Sequence, residues 1–367
     1  MTASAELGRD GVGVVVIWSD GLQRSFGWSW LRDSCRCQSC VRPGTSQRTF
    51  ELCAVAQPVP EETAVGIEDD RVVIAWAPEG HLSRYPLQWL RAFAEGATRQ
   101  PSRSCWFTGW DLRASAMPFE SLTDDRAVVG WMTGLVERGL AMVSGGGCGP
   151  EVCEALVARF GYVRETNYGR TFDVESVASA ANLAYTDLGL GLHTDNPYRD
   201  PVPTLQVLHC RVAAERGGDS VFADGLGVAS TLRDEDRGSF EVLAGEPVPW
   251  RYTAADVDLA ATAPVIGTDW RGEPVTIRWN ERSRQPLPGD PVRAERHLEA
   301  LRRFGEVLSR PGHHVSVRLE PGDLVVFDNQ RVLHGRTPVQ GDIHRLLTGC
   351  YADRDGLSSR LAVLSRR

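Results

Sequence analysis

Glu320-Pro321-Gly322-Asp323-Leu324-Val325-Val326-Phe327-Asp328-Asn329-Gln330-Arg331-Val332-Leu333-His334-Gly335-Arg336 is the stretch on which the fold turns. A Pro-Gly turn launches the apolar run 324–327, which reads as a buried strand, and an Asp-Asn turn then leads to His334. Far upstream stands Leu192-His193-Thr194-Asp195. On a strand, residues two apart project to the same face, so His193 and Asp195 share one. The third ligand of a metal site must come from a distant strand, and His334 is the candidate. Two imidazoles and one carboxylate form a facial set that leaves positions open on Fe(II), as an oxygenase needs for a co-substrate and dioxygen.

Outward from these motifs, short strands dominate: 204–210, 220–223, 274–280, 315–319 and 346–351. A helix at 293–309 interrupts them, with Leu298, Leu301, Phe304 and Leu308 on one face. Before them the pattern predicts a helix at 124–138, a strand at 140–144 and a short helix at 151–160. Short strands with Gly and Pro at the turns suggest a mainly β fold with helices, a double-stranded β-helix or jelly roll, although a sandwich has the same periodicity. The first region is strand-rich too, with β-type runs at 14–18, 23–28 and 71–76 and a helix at 85–95. A polar stretch around Pro101 and Ser102 marks the boundary. The expected domains are 1–108 and 109–367.

All 40 Lys-plus-Arg positions are Arg. A chain without Lys has no Schiff-base residue for pyridoxal-phosphate or aldolase chemistry. It also lacks the Lys that Walker-A loops and protein kinases place on phosphates. Any anion held by a side-chain cation is held by Arg, whose planar fork suits carboxylates. A net charge of −8 argues against nucleic-acid and anionic-membrane partners. The apolar run 14–18 is too short for a signal sequence or a membrane span, so the expected location is cytoplasmic.

Nine Cys, an odd number in a long chain, suit a reducing compartment better than a disulfide framework. Cys35, Cys37 and Cys40 fall within six residues, and His81 would complete a closed Cys3His set for structural zinc. Arg345 opens the strand after His334 and stands beside Leu346-Leu347. In a small barrel this brings it toward the metal pocket, where it could grip a carboxylate of a dicarboxylate co-substrate as a bidentate fork.

Together these motifs resemble the γ-butyrobetaine hydroxylase group of the Fe(II)/2-oxoglutarate dioxygenases related to taurine dioxygenase. Further marks are Trp30-Leu31-Arg32-Asp33-Ser34-Cys35, Tyr168-Gly169-Arg170-Thr171-Phe172, Asn182-Leu183-Ala184-Tyr185, Leu205-Gln206-Val207-Leu208 and Arg345-Leu346-Leu347-Thr348-Gly349-Cys350-Tyr351. The resemblance implies a zinc-bearing N-terminal domain ahead of a catalytic jelly roll. It assigns iron to His193, Asp195 and His334, and 2-oxoglutarate to Arg345 with Asn182 and Leu208. It places an aromatic box for a trimethylammonium group on Tyr168, Phe172, Tyr185 and Tyr351, in keeping with the attraction between a quaternary ammonium and ring faces. The substrate's anionic end would meet Asn280 and Tyr198, with Arg278 or Arg282 adding charge.

Three departures stand out. Phe172 replaces a frequent Trp, the loop between His334 and Arg345 is shorter than in animal members, and Asn196-Pro197-Tyr198-Arg199-Asp200 looks more like relatives acting on 2-trimethylaminoethylphosphonate. The implied activity is hydroxylation of a small quaternary-ammonium substrate, first γ-butyrobetaine to L-carnitine, then the phosphonate or trimethyllysine. A homodimer formed through the zinc domain is also implied. Rival readings are a non-catalytic 2-oxoglutarate and metal sensor on the same barrel, and a zinc hydrolase using the same triad.

Overall fold

The structure, a computed structural model, describes residues 5–96, 103–175, 189–340 and 345–366. The chain divides into two units, Met1–Gln100 and Pro101–Arg367. The division falls at the polar stretch around Pro101 and ahead of residue 108, because Trp106 is buried among Leu112, Leu140, Met142 and Phe327 of the second unit.

In the first unit, two three-stranded antiparallel sheets share a core that includes Val14, Val16, Trp18, Val72, Ile74 and Trp76. The runs expected at 14–18, 23–28 and 71–76 are the strands Gly13–Trp18, Gln23–Gly27 and Arg71–Ala75. The helix expected from residue 85 begins at Leu87, because Tyr85 and Pro86 end the strand Leu82–Pro86. Tyr85 is buried there, its hydroxyl donating to the Leu31 carbonyl.

In the second unit the apolar runs become strands buried on both faces, as burial between layers requires. The larger sheet runs Thr171–Glu175, Leu346–Ala352, Leu205–Val212, Leu324–Asp328, Leu140–Ser144, Met117–Pro118, with Val163–Arg164 also pairing Leu346–Ala352. The smaller sheet runs Leu190–His193, Val332–Arg336, Ser220–Asp224, His314–Val317. Phe222 from the smaller sheet meets Phe327 from the larger at 5.7 Å between ring centroids, and Leu208, Val315, Val325 and Leu347 pack in the same core. The two sheets form the expected jelly roll. Helices Asp125–Arg138, Val152–Val157 and Arg354–Leu364 contribute Val128, Leu156 and Leu357 to a second core that includes Val207 and Val326 of the larger sheet.

Helices Gly225–Glu235, Arg237–Gly245 and Pro291–Leu308 make a third core with the hairpins Val248–Ala254/Val257–Ala263 and Ile266–Thr268/Pro274–Ile277. Only the last of these three helices was legible from its periodicity. Among the described residues, no helix is long and apolar enough to cross a membrane.

Candidate active site

Residue pairing builds the centre of the site. Leu190–His193 and Val332–Arg336 run antiparallel, and His193 stands opposite His334. Gly335 permits the close approach, since a Cβ there would lie 2.5 Å from the Leu190 carbonyl oxygen. His193 Nε2 lies 3.3 Å from Asp195 Oδ1, and His334 Nε2 lies 3.9 Å from Asp195 Oδ2. One ligand atom from each of the three falls within 4.8 Å of the others. His193 Nδ1 donates to the Gly191 carbonyl over 2.9 Å, which leaves Nε2 as the lone-pair nitrogen.

Asp195 is held on every side. Asn329 clasps its backbone, accepting from the Asp195 N–H at 2.7 Å and donating to its carbonyl at 2.9 Å. Gln206 Nε2 and Tyr351 Oη each donate to Asp195 Oδ2 over 3.0 Å. Burial works to raise this carboxyl, but its contacts with His193 and His334 and the hydrogen bond from Tyr351 outweigh it and hold the group well below the usual carboxylate range. Burial, and then His193, push His334 down to about 3. At neutral pH the site therefore offers a carboxylate and a neutral His334, the protonation states a divalent cation needs. This donor set, open on one side to a pocket, fits Fe(II).

The pocket encloses about 250 Å³. Arg345, Leu208, Ser220 and Leu347 line it from the barrel strands and their ends. Arg345 is buried, and burial followed by the neighbouring Arg336 pushes its guanidinium down to about 10. It remains a cation at neutral pH, and a carboxylate arriving from solvent would offset its burial.

Tyr168, Phe172 and Tyr351 also line the pocket, with Phe172 5.2 Å from Tyr351 and 5.9 Å from Tyr168 between centroids. Phe172 stands opposite Gly349 in the sheet, where a Cβ would come within 2.5 Å of its ring. Asn182 and Tyr185 lie outside the described residues.

The groups expected at the substrate's anionic end have internal partners. Asn280 donates to the Thr194 carbonyl at 3.1 Å and accepts from the Arg282 N–H at 3.2 Å, so it joins its loop to the His193-Thr194-Asp195 segment. The Tyr198 and Tyr168 hydroxyls lie 3.1 Å apart. Arg278 is spent on the Pro197 and Arg199 carbonyls, whereas Arg282 is exposed and lines the pocket. The sequence reading missed Tyr252, which stacks on Tyr198 at 5.1 Å and lies 6.1 Å from Tyr168. It sits in a Tyr-Thr-Ala-Ala-Asp run with no motif to single it out.

The second cluster lies in the first unit. His81 Nε2 is 3.3 Å from Cys35 Sγ, 3.7 Å from Cys37 Sγ and 3.4 Å from Cys40 Sγ. Tetrahedral zinc with ordinary Zn–S and Zn–N bonds sets these edges at about 3.6 Å. The four donors fit zinc. Arg32 grips Glu79 through Nε and Nη2, at 2.7 and 2.6 Å, and points Nη1 at Cys40 Sγ over 3.6 Å.

The profile of the "Taurine catabolism dioxygenase TauD, TfdA family" matches residues 107–351, and that of "Gamma-butyrobetaine hydroxylase-like, N-terminal" matches residues 5–91. The γ-butyrobetaine dioxygenase of Pseudomonas sp. (strain AK-1) is 37% identical over 96% of this chain and 94% of its own. The mitochondrial trimethyllysine dioxygenase of Gallus gallus is 31% identical over 95% of this chain and 85% of its own. A solved asparagine oxygenase in complex with Fe(II), 2S,3S-3-hydroxyasparagine and succinate shares the fold, with a TM-score of 0.50 and 18% identity over 63% of this chain and 79% of the other. With the larger unit matched almost end to end and the triad assembled inside it, the chain belongs to the TauD/TfdA family and is a non-haem Fe(II)/2-oxoglutarate-dependent dioxygenase preceded by a γ-butyrobetaine hydroxylase-like N-terminal region.

Proposed function

We propose that the chain hydroxylates a small trimethylammonium substrate, converting γ-butyrobetaine to L-carnitine and so serving carnitine biosynthesis. The observation that carries this reading is the group of rings Tyr168, Phe172 and Tyr351 beside the triad, with the Tyr351 hydroxyl bonded to Asp195. Ring faces attract a quaternary ammonium, which has no N–H to offer a hydrogen-bond acceptor. The identity to the Pseudomonas relative over nearly the full chain supports the same substrate. Trimethyllysine is the second reading, favoured by the Gallus relative, and the phosphonate analogue a third.

In this reading His193, Asp195 and His334 hold the iron, which when bound supplies oxidative activation of dioxygen coupled to 2-oxoglutarate decarboxylation. Arg345 grips the far carboxylate of 2-oxoglutarate, with Leu208 and Asn182 serving the same co-substrate. Tyr168, Phe172, Tyr185 and Tyr351 orient the substrate so that one carbon faces the metal. Asn280 and Tyr198 border its anionic end, where Arg282 adds the charge. Cys35, Cys37, Cys40 and His81 hold zinc in an N-terminal zinc-binding domain ahead of the catalytic one. The reading includes a cytoplasmic homodimer; the net charge of −8 supports the further expectation that it has no nucleic-acid or anionic-membrane partner.

The test is anaerobic reconstitution with iron, 2-oxoglutarate and each candidate, followed by oxygen. Substrate-dependent succinate and a product one oxygen heavier are expected. Turnover separates the enzyme from a sensor, and its oxygen dependence separates it from a zinc hydrolase. If no trimethylammonium candidate stimulates succinate release, the reading fails.

A further inference from the structure

The hairpin Val248–Ala254/Val257–Ala263 belongs to neither sheet of the jelly roll, yet its position is fixed. Trp250 is buried in the helical core. Arg251 donates its N–H to the Ser283 carbonyl at 2.9 Å, and Gln285 donates to the Pro249 carbonyl at 2.9 Å. The same loop carries Asn280, whose amide holds the Thr194 carbonyl between the two metal ligands. Hairpin, loop and triad segment are thus joined by hydrogen bonds, and Tyr252 is carried with them.

Tyr252 belongs to a cluster of rings. Tyr351 packs on Phe172, Phe172 on Tyr168 and Tyr168 on Tyr252, at centroid distances of 5.2, 5.9 and 6.1 Å. Tyr252 then stacks on Tyr198 at 5.1 Å with the planes 20° apart. Tyr351 bonds a metal ligand, whereas Tyr252 comes from an element outside the barrel. A wall built this way is rigid, because the stack and the hairpin both resist displacement.

We propose that Tyr252 is a specificity-determining residue: stacked on Tyr198, which borders the substrate's anionic end in the reading above, it limits how far that end can extend from the rings that hold the trimethylammonium group. It thereby sets how many methylenes the substrate can carry between its two ends. The inference rests on the trimethylammonium reading above. Forcing one more methylene against a packed wall discriminates chain lengths by roughly tenfold.

The test uses full-length protein loaded with iron and zinc and a series of ω-trimethylammonium carboxylates of increasing chain length. Wild type should show a sharp optimum in kcat/KM. Tyr252→Ala should raise the ratio of the next longer homologue to the wild-type optimum by roughly tenfold, and Tyr252→Phe, which keeps the ring, should leave the ratio near wild type. Dissociation constants for the same series, measured without oxygen, should shift in parallel. A Tyr252→Ala profile lowered by one factor at every length overturns the proposal, as does a Tyr252→Phe shift equal to that of Ala. Wild type that turns over no member of the series overturns the substrate reading and this inference together. An active wild type with an unmoved variant profile overturns this inference alone.

Discussion

Tyr351 and Asp195 couple the ring cluster to the metal ligands through one hydrogen bond, the phenol donating to Asp195 Oδ2 over 3.0 Å while its ring packs against Phe172. Tyr351→Phe removes the donor and keeps the ring face. Metal affinity should fall by about tenfold, the usual cost of losing a partner that orients a ligand, while KM for the trimethylammonium substrate stays near wild type. Tyr351→Leu should worsen both. Anaerobic titration with Fe(II) or Co(II), followed by steady-state kinetics, separates the two effects.

Gly349 and Phe172 are cross-strand partners in contact, and a Cβ at residue 349 would sit 2.5 Å from the ring. Gly349→Ala should tilt Phe172 and raise KM for the substrate while leaving that for 2-oxoglutarate unchanged. Overpacking of this kind should also cost about 1–3 kcal/mol of stability, read from denaturant unfolding. Equal increases in both KM values would point to general damage.

Arg345 predicts a pH dependence. Its folded value is depressed to about 10, first by burial. The cost of its buried charge is therefore present in full below that pH and relieved as pH rises through it. Stabilisation of the protein by 2-oxoglutarate needs the cation, so it should hold steady across neutral pH and decline as pH approaches about 10. Arg345→Ala should abolish this stabilisation and leave metal binding intact. Thermal melts with and without 2-oxoglutarate across the pH range provide the check.

Removal of zinc should destabilise the N-terminal unit without abolishing its hydrophobic core, because four side chains from two distant segments lose the ion they share. Arg32→Met deletes the contact with Cys40 Sγ and leaves Glu79 without its partner. Chelator-driven zinc release should be faster in this variant by about tenfold, as followed with a chromogenic chelator. Release at the wild-type rate would show that Arg32 contributes nothing to zinc retention.

Strands buried on both faces were legible because continuous runs of Val, Leu and Phe, as in Leu324–Asp328, have little alternative to burial. The hairpin Val248–Ala254/Val257–Ala263 was not, because it is half exposed and rich in Ala and Thr, which leaves a weak alternating signal. Gly225–Glu235 was hidden for another reason. It opens on Gly-Leu-Gly, poor helix formers, and depends on the Asp224 cap and on tertiary packing. The same contrast holds in the site. His193, Asp195 and His334 announced themselves by spacing and turn context, and the Cys cluster by proximity. Tyr252 reaches the pocket through a fold in space that no local pattern records, and the engagement of Asn280 with Thr194 could be seen only once the loops were placed.

The pairing of His193 with His334 bears on how the chain becomes an oxidant. In an antiparallel ladder, slipping one strand by a single residue turns its side chains to the opposite face. A chain zipped out of register would point one imidazole away from the other and could not retain iron. Metal loading therefore proofreads assembly: a misfolded molecule stays chemically inert, and the hazardous step of oxygen activation is licensed only in chains whose distant halves have aligned.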